Sequence, residues 1–169
     1  MTNATTAFTT LPSPVGPLTL VAAGDDDLVG LYFDDDPNGA PRADWVRDAR
    51  RLRPAAAQLA EYFAGKRTRF DLRLAPQGTA FQRAVWAALL RIPYGETASY
   101  GDIARAIGKP AAARAIGGAN HRNPIAIVIP CHRVIGADGS LTGYGGGLDH
   151  KRLLLALESR VHSTRSRAA

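Results

Sequence analysis

The sequence predicts an α/β (α+β) protein. A small N-terminal domain of sheet plus helix should precede a mainly helical C-terminal domain with a helix-turn-helix. Three observations predict this. Two β-prone runs, Gly16–Ala22 and Leu28–Phe33, flank a Gly/Asp turn and read as an antiparallel hairpin. Two short helical segments in the second half meet at a tight turn containing Gly108. Between the halves lies Ala75-Pro76-Gln77-Gly78, whose composition suits an interdomain link.

The elements follow in order. Asp34-Asp35-Asp36-Pro37-Asn38-Gly39 is a loop after the hairpin. The acidic triplets there and at Asp25–Asp27 match no calcium loop and read as solvated turns. Arg42–Arg53 is compatible with a short helix. Pro54–Gly65 is a stronger helix: proline suits the first turn, the alanines favour helix, and Leu59, Tyr62 and Phe63 share a face. Arg69–Leu74 alternates and predicts a strand. Thr79 caps the next helix, whose apolar stripe is Phe81, Val85, Trp86, Leu89 and Leu90. Ser99 with Asp102 three residues on forms an acidic capping box for a helix over Tyr100–Ile107. A second helix runs from Pro110 to about Asn120. Ala111, Ala112, Ala113 and Ala115 make it thin, so that with Arg114 it could enter a DNA groove. Gly117 and Gly118 late in this helix suggest close approach of another backbone. Leu148–Glu158 is the last helix. The predicted domains are therefore 1–75, 76–158 and a basic disordered tail, 159–169.

Composition narrows the function. The 169 residues are 46% hydrophobic and 21% charged, as in an ordinary globular protein. One cysteine excludes an internal disulfide, and four histidines without a Cys-x-x-Cys make no structural zinc site. No apolar run is long enough to span a membrane. Met1–Thr10 lacks a basic region and an apolar core, so a secretory signal is not expected. A soluble protein in the reducing interior of the cell is expected, where a reactive thiol survives. Residues 1–75 hold nine Lys/Arg against ten Asp/Glu, whereas 76–169 hold twelve against five. A basic second half suggests a polyanionic partner, nucleic acid foremost. Three of its charges, Arg160, Arg165 and Arg167, lie in the tail.

The lone cysteine has a marked setting. Ile125-Ala126-Ile127-Val128-Ile129 reads as a strand buried on both faces, and Pro130 then ends any ladder. Cys131-His132-Arg133 follows, placing a thiol beside an imidazole and a guanidinium, and a cationic neighbourhood favours thiolate. The glycine run Gly143–Gly147 lacks the Lys-Ser/Thr of a Walker phosphate loop.

Taken together, several blocks carry a resemblance. They are Tyr94-Gly95-Glu96-Thr97, Ser99-Tyr100-Gly101, Ala113-Arg114-Ala115-Ile116-Gly117, Asn123-Pro124, Ile129-Pro130-Cys131-His132-Arg133-Val134-Ile135 and Gly143–Gly147. In this register the chain resembles the O6-alkylguanine-DNA alkyltransferases (methylated-DNA–protein-cysteine methyltransferases), closely over about Thr79 to Glu158 and more loosely before it. Singly, Tyr100 could be a packing residue, Glu158 a solvated carboxylate, Asn123-Pro124 a turn pair and Arg114 a surface arginine. The joint register sets those readings aside.

The resemblance implies a winged-helix-like second domain and direct-reversal repair. O6-alkylguanine, and by extension O4-alkylthymine, would be flipped from double-stranded DNA, and its alkyl group moved to Cys131. It implies that His132 acts through a water as base, that Glu158 holds His132, and that Tyr100 protonates the departing guanine. Asn123 would brace the turn before the cysteine, and Val134, Tyr144, Gly145 and Gly146 would hold the base. Arg114 would fill the vacated stack from a DNA-binding face comprising Ala113, Ala115, Gly117, Gly118 and Tyr100. No cofactor, metal or membrane is called for. A monomer in the cytoplasm, associated with the nucleoid when on DNA, is expected. Gly145 stands where some members carry serine, which leaves only a backbone donor there and bears on the range of alkyl groups accepted.

The chemistry asks for these residue types in its own right. An alkyl carbon on oxygen is a poor electrophile, so displacement needs a thiolate, which a Cys–His–carboxylate order supplies. Guanine leaves as an anion unless a positioned acid protonates it. The product thioether has no second nucleophile to release it, so one reaction per chain is expected. A cysteine hydrolase and a non-catalytic helix-turn-helix binder are the competing classes. Against the first, catalytic Cys–His pairs are usually distant in sequence, whereas these two are adjacent. Against the second, such a binder has no need of the thiol.

Overall fold

A computed structural model describes residues 5–144 and 147–168. By their contacts they form two units. One runs to Gln77 and takes in Pro124–Ala126, and the other comprises Gly78–Asn123 and Ile127 onward.

The first unit is built on a four-stranded sheet whose order is β3 (Asp27–Phe33), β2 (Leu18–Ala23), β1 (Thr6–Leu11), β4 (Trp45–Arg47). The hairpin strands are β2 (Leu18–Ala23) and β3 (Asp27–Phe33). They pair antiparallel, with Leu20 opposite Leu31. Gly24 and Asp26 take left-handed φ in the turn between them, the former at no steric cost. The sequence reading missed β1 (Thr6–Leu11), which pairs antiparallel with β2. Its Thr6-Ala7-Phe8-Thr9-Thr10-Leu11 is short and threonine-rich, and only its neighbour strands make it a sheet member. The helix expected over Arg42–Arg53 does not form. Trp45–Arg47 is instead β4, parallel to β1, with Trp45 beside Phe8 at 6.1 Å between ring centroids. Asp48 accounts for the break, because its carboxylate accepts from the backbone N–H groups of Arg50 and Arg51 and closes a turn. Helix α1 (Arg53–Phe63) buries Leu59 and Tyr62 fully. Gly65, at φ +73°, ends it. The strand expected over Arg69–Leu74 reduces to a bridge between Leu74 and Leu28, because Pro76 follows at once and Phe70 turns onto Tyr62.

Helices dominate the second unit. Helix α2 (Ala80–Leu89) starts with a reciprocal capping box between Thr79 and Gln82. Its Trp86 donates from the indole to the Ala119 carbonyl at 2.9 Å. Ser99 and Asp102 form the second capping box, at the start of α3 (Tyr100–Ala106). Helix α4 (Ala113–His121) begins three residues later than expected, because Ala112 N–H bonds back to Lys109 and makes 109–112 a turn. Gly117 and Gly118 face no other backbone. A Cβ at Gly117 would meet only the Tyr100 ring, at 3.8 Å, and one at Gly118 would meet open space. The last helix, α5, spans Leu148–Ala168. The tail expected to be disordered from 159 is thus the continuation of α5. His162 packs against Gly95 tightly enough that a Cβ there would lie 2.6 Å from it.

The segment before the cysteine departs most from expectation. Residues 125–129 are all buried, yet they form no ladder. Ile125 bridges Leu31, whose N–H bonds the Pro124 carbonyl and whose carbonyl accepts from Ala126. The chain then swings at Ile127, which sits at φ +71°, a rare and costly value for a β-branched residue. An apolar run alone does not distinguish a strand from an irregular buried segment.

Candidate active site

Pro130 sets the local geometry. Its φ of −82° and ψ of 63°, with Cys131 N–H bonded to the Ile129 carbonyl at 2.8 Å, make an inverse γ-turn. Cys131–Arg133 then form a single 3-10 turn, and β6 (Val134–Ile135) follows directly. Strand β6 pairs in parallel with β5 (Ala98–Ser99), which runs directly into Tyr100 at the start of α3. The two-residue ribbon therefore ties the Cys131 turn to the helix that Tyr100 opens. Two amides fix the turn further. Asn123 donates to the Ile129 carbonyl at 2.8 Å, and Asn120, on α4, donates to the Cys131 carbonyl at 3.2 Å.

The thiol is free and 4% exposed. Burial pushes it up from its ordinary value, while hydrogen bonds with the Asn123 and Tyr144 side chains and the charge of Lys151 pull the other way. The resting state is a thiol. The guanidinium expected to favour thiolate points elsewhere. Arg133 bonds Glu158 Oε2 from Nε at 2.8 Å, Glu158 Oε1 from Nη2 at 3.0 Å, and the Ile92 carbonyl from Nη1 at 2.7 Å. Its closeness in sequence to Cys131, two residues away, misled, because a 3-10 turn sends nearby side chains in different directions.

His132 is fully buried, and its Nε2 lies 2.7 Å from Glu158 Oε1. Burial pushes the imidazole below its ordinary 6.5, outweighing the carboxylate's pull, so the ring is neutral at neutral pH. It therefore donates from Nε2 to Glu158 and presents Nδ1 as a lone pair. That Nδ1 is buried and has no hydrogen-bond partner among the described residues. Burial would raise Glu158, but hydrogen bonds and charge from His132 and Arg133 outweigh it and hold the carboxyl at about 2.

A cleft of about 520 Å³ is lined by Tyr100, Ala113, Gly117, His121, Thr142, Gly143 and Tyr144. Tyr144 connects cleft and thiol: it lines the first and bonds the second. Of the residues expected to hold a base, Val134 is buried in β6 and Tyr144 lines the cleft, whereas Gly145 and Gly146 lie outside the described residues. On α4, Ala113 and Gly117 face the cleft, and Arg114, Ala115 and Gly118 are exposed. The structure thus brings Cys131 together with Asn123 and Tyr144, His132 with Glu158, and Tyr100 with the cleft.

Lys151 escaped the sequence reading. It is fully buried, donating from Nζ to the carbonyls of Val134 at 2.5 Å and Thr142 at 3.1 Å. Its signal was present: Lys151, Leu154 and Glu158 share one face of α5 at helical spacing, so a lysine stands on the buried stripe. Asn120 and Thr142 were also missed, and no local pattern marks them; His121, which reads as a surface residue, is exposed and lines the cleft.

A helix-turn-helix unit that buries a lone thiol, followed in the chain by a neutral histidine held by a carboxylate, defines a thiol-bearing, nucleic-acid-directed class of protein. Comparison with known proteins agrees. Residues 80–160 match the 6-O-methylguanine DNA methyltransferase DNA-binding domain, and 7–76 match the ribonuclease-like domain of the same family. A methylated-DNA–protein-cysteine methyltransferase of Mycolicibacterium paratuberculosis is 56% identical over 159 residues, 94% of this chain and 95% of the relative. One from Methanosarcina barkeri is 56% identical, covering 88% and 94% respectively. The crystal structure of Mycobacterium tuberculosis OGT in complex with DNA superposes with a TM-score of 0.86 at 53% identity, covering 92% of this chain and 94% of that one. The chain belongs to the 6-O-methylguanine DNA methyltransferase family.

Proposed function

We propose that this protein repairs O6-alkylguanine in double-stranded DNA by moving the alkyl group to Cys131 Sγ, once per chain. The observation that carries this reading is the buried Cys131, followed directly in the chain by a buried, neutral His132 that an ionised Glu158 holds. Displacement at an alkyl carbon needs the thiolate, and burial keeps the resting group a thiol, so a base must act during reaction. The Nδ1 lone pair of His132 takes the thiol proton through a water, and Glu158 stabilises the imidazolium that forms. Sγ then attacks the alkyl carbon, the bond to O6 breaks, and Tyr100 protonates a ring nitrogen of the departing guanine. Asn123 holds the Pro130 turn in place. The backbone near Val134 and the Tyr144-Gly145-Gly146 loop hold the base, and the range of alkyl groups accepted depends on that serine-free loop.

The thin face of α4 supports DNA binding. Arg114, Ala115 and Gly118 are exposed there, and Ala113, Gly117 and Tyr100 border the cleft that would receive a flipped base. Arg114 fills the gap left in the stack. Among the described residues no helix is long and apolar enough to cross a membrane. The protein works as a cytoplasmic monomer, on the nucleoid when bound to DNA. Its support and transfer domains divide near residue 76. Intact-mass analysis after incubation with excess methylated duplex tests the central claim. One methyl per chain, on the Cys131 peptide and absent from Cys131→Ala, is expected. Multiple turnovers per chain would remove it.

A further inference from the structure

Tyr100 is not alone at the cleft. Thr142 Oγ1 donates a hydrogen bond to Tyr100 Oη at 3.0 Å, and both residues line the same cleft wall. Neither partner is loose. Tyr100 is the first residue of α3, anchored by the Ser99 capping box and by β5. The Thr142 carbonyl accepts from the buried Lys151 Nζ, which also bonds the Val134 carbonyl of β6. The backbone of Thr142 is therefore fixed while its hydroxyl serves the phenol. Ala113, Gly117 and Gly143, which line the same cleft, bring no side-chain donor.

We propose that Thr142 is a positioning residue for proton donation, aiming the Tyr100 O–H at the departing base and stabilising the phenolate left behind through the Oγ1–Oη hydrogen bond. This rests on the reading of Tyr100 as the proton donor. As the Sγ–carbon bond forms and the carbon–O6 bond breaks, the bonding pair goes to the purine. The Tyr100 proton moves to a purine ring nitrogen. Thr142 keeps its proton and donates its hydrogen bond to the new phenolate oxygen, where a charged acceptor strengthens it. The phenolate then recovers a proton from solvent. Before transfer, the same bond uses an Oη lone pair and leaves the phenolic hydrogen free to point into the cleft.

Single-turnover alkylation of Cys131 by free O6-benzylguanine, followed by intact mass, tests this in Thr142→Val, Thr142→Ala, Thr142→Ser, Tyr100→Phe and the Thr142→Val/Tyr100→Phe double variant. Thr142→Val and Thr142→Ala should each be slower by about two- to tenfold, the effect of one neutral hydrogen bond. Thr142→Ser, which retains the hydroxyl, should stay within about twofold of wild type. In the Tyr100→Phe background the Thr142→Val loss should vanish. With O6-benzyl-8-azaguanine, whose base departs more readily, the loss in Thr142→Val should shrink. An equal loss in both tyrosine backgrounds would overturn the role of Thr142 and leave Tyr100 untouched. Wild-type speed in Tyr100→Phe would instead overturn the proton-donor reading, and this inference with it.

Discussion

Arg133 holds both carboxylate oxygens of Glu158, at 2.8 and 3.0 Å, and leaves Oε1 shared with His132 at 2.7 Å. The arginine two residues after Cys131 is thus the counter-ion of the carboxylate that holds His132. Hydrogen bonds from His132 and Arg133, helped by the guanidinium's charge, keep Glu158 ionised, and an ionised Glu158 fixes the His132 tautomer.

Breaking that pair from one side should be costly. Arg133→Met leaves a buried carboxylate without its cation, and a loss of about 3–5 kcal/mol in urea unfolding is expected. A change below about 1 kcal/mol would mean that water relieves the site.

Acid should expose the same arrangement. The folded-state value of Glu158 is about 2 against an ordinary 4.5. Its stabilisation is complete above pH 4.5 and is lost as pH falls toward 2. His132, depressed below 6.5, contributes stability that is present above 6.5 and declines as pH falls below it. In Glu158→Gln the carboxylate's part of the acid loss should be missing from unfolding curves taken between pH 5 and 2. The same variant should transfer about ten- to ten-thousand-fold more slowly at neutral pH, with partial recovery at alkaline pH.

Lys151 is the cation that lowers the Cys131 thiol. Its replacement in Lys151→Met should raise the thiol further and move the pH–rate profile for free O6-benzylguanine toward alkali. A profile displaced toward acid would contradict the assignment.

Arg114 is exposed on α4. Extruding a paired base costs a few kcal/mol, and a guanidinium in the gap recovers part of it by stacking. Arg114→Ala should slow single-turnover repair of saturating duplex by about tenfold or more, since about 1.4 kcal/mol is already tenfold. Reaction with the free base should be unaffected, and Arg114→Lys should rescue only part of the loss. An arginine that merely touched phosphate would change affinity and its salt slope instead.

Gly95 takes φ +81° under His162. Gly95→Ala should destabilise by about 1–3 kcal/mol from backbone strain. Deleting residues 161–169 should remove the clash but not the strain, so the melting temperature of the deletion should still fall when Ala is added.

Local chemistry was legible where one short pattern decides. The two capping boxes, the hairpin and the end of α1 at Gly65 follow from side chains acting on their own backbone. What the sequence hid depended on distant partners. Thr6–Leu11 is a strand only because β2 and β4 flank it, and Ile127 leaves the strand region under the demands of its surroundings. Cys131, His132 and Glu158 could be singled out by register, yet the direction of Arg133 could not. The tail looked disordered because Ser, Thr and Arg dominate it, but α5 enters it already nucleated, so each added residue costs little.

The ribbon formed by β5 and β6 has two residues on each side. Such a ribbon has no stability of its own. Its survival depends on the packing around it, so Tyr100 and Cys131 stand in register only while α3 and the 131–133 turn are both seated. A slip of one residue would turn Ser99 and Ile135 to opposite faces and carry the phenol away from the cleft. The Tyr100 phenol and the Cys131 thiol therefore come into place together, and in the proposed mechanism a partly opened chain has the thiol without its proton donor. On the proposed mechanism such a chain transfers slowly, because the departing guanine finds no acid until the ribbon is seated.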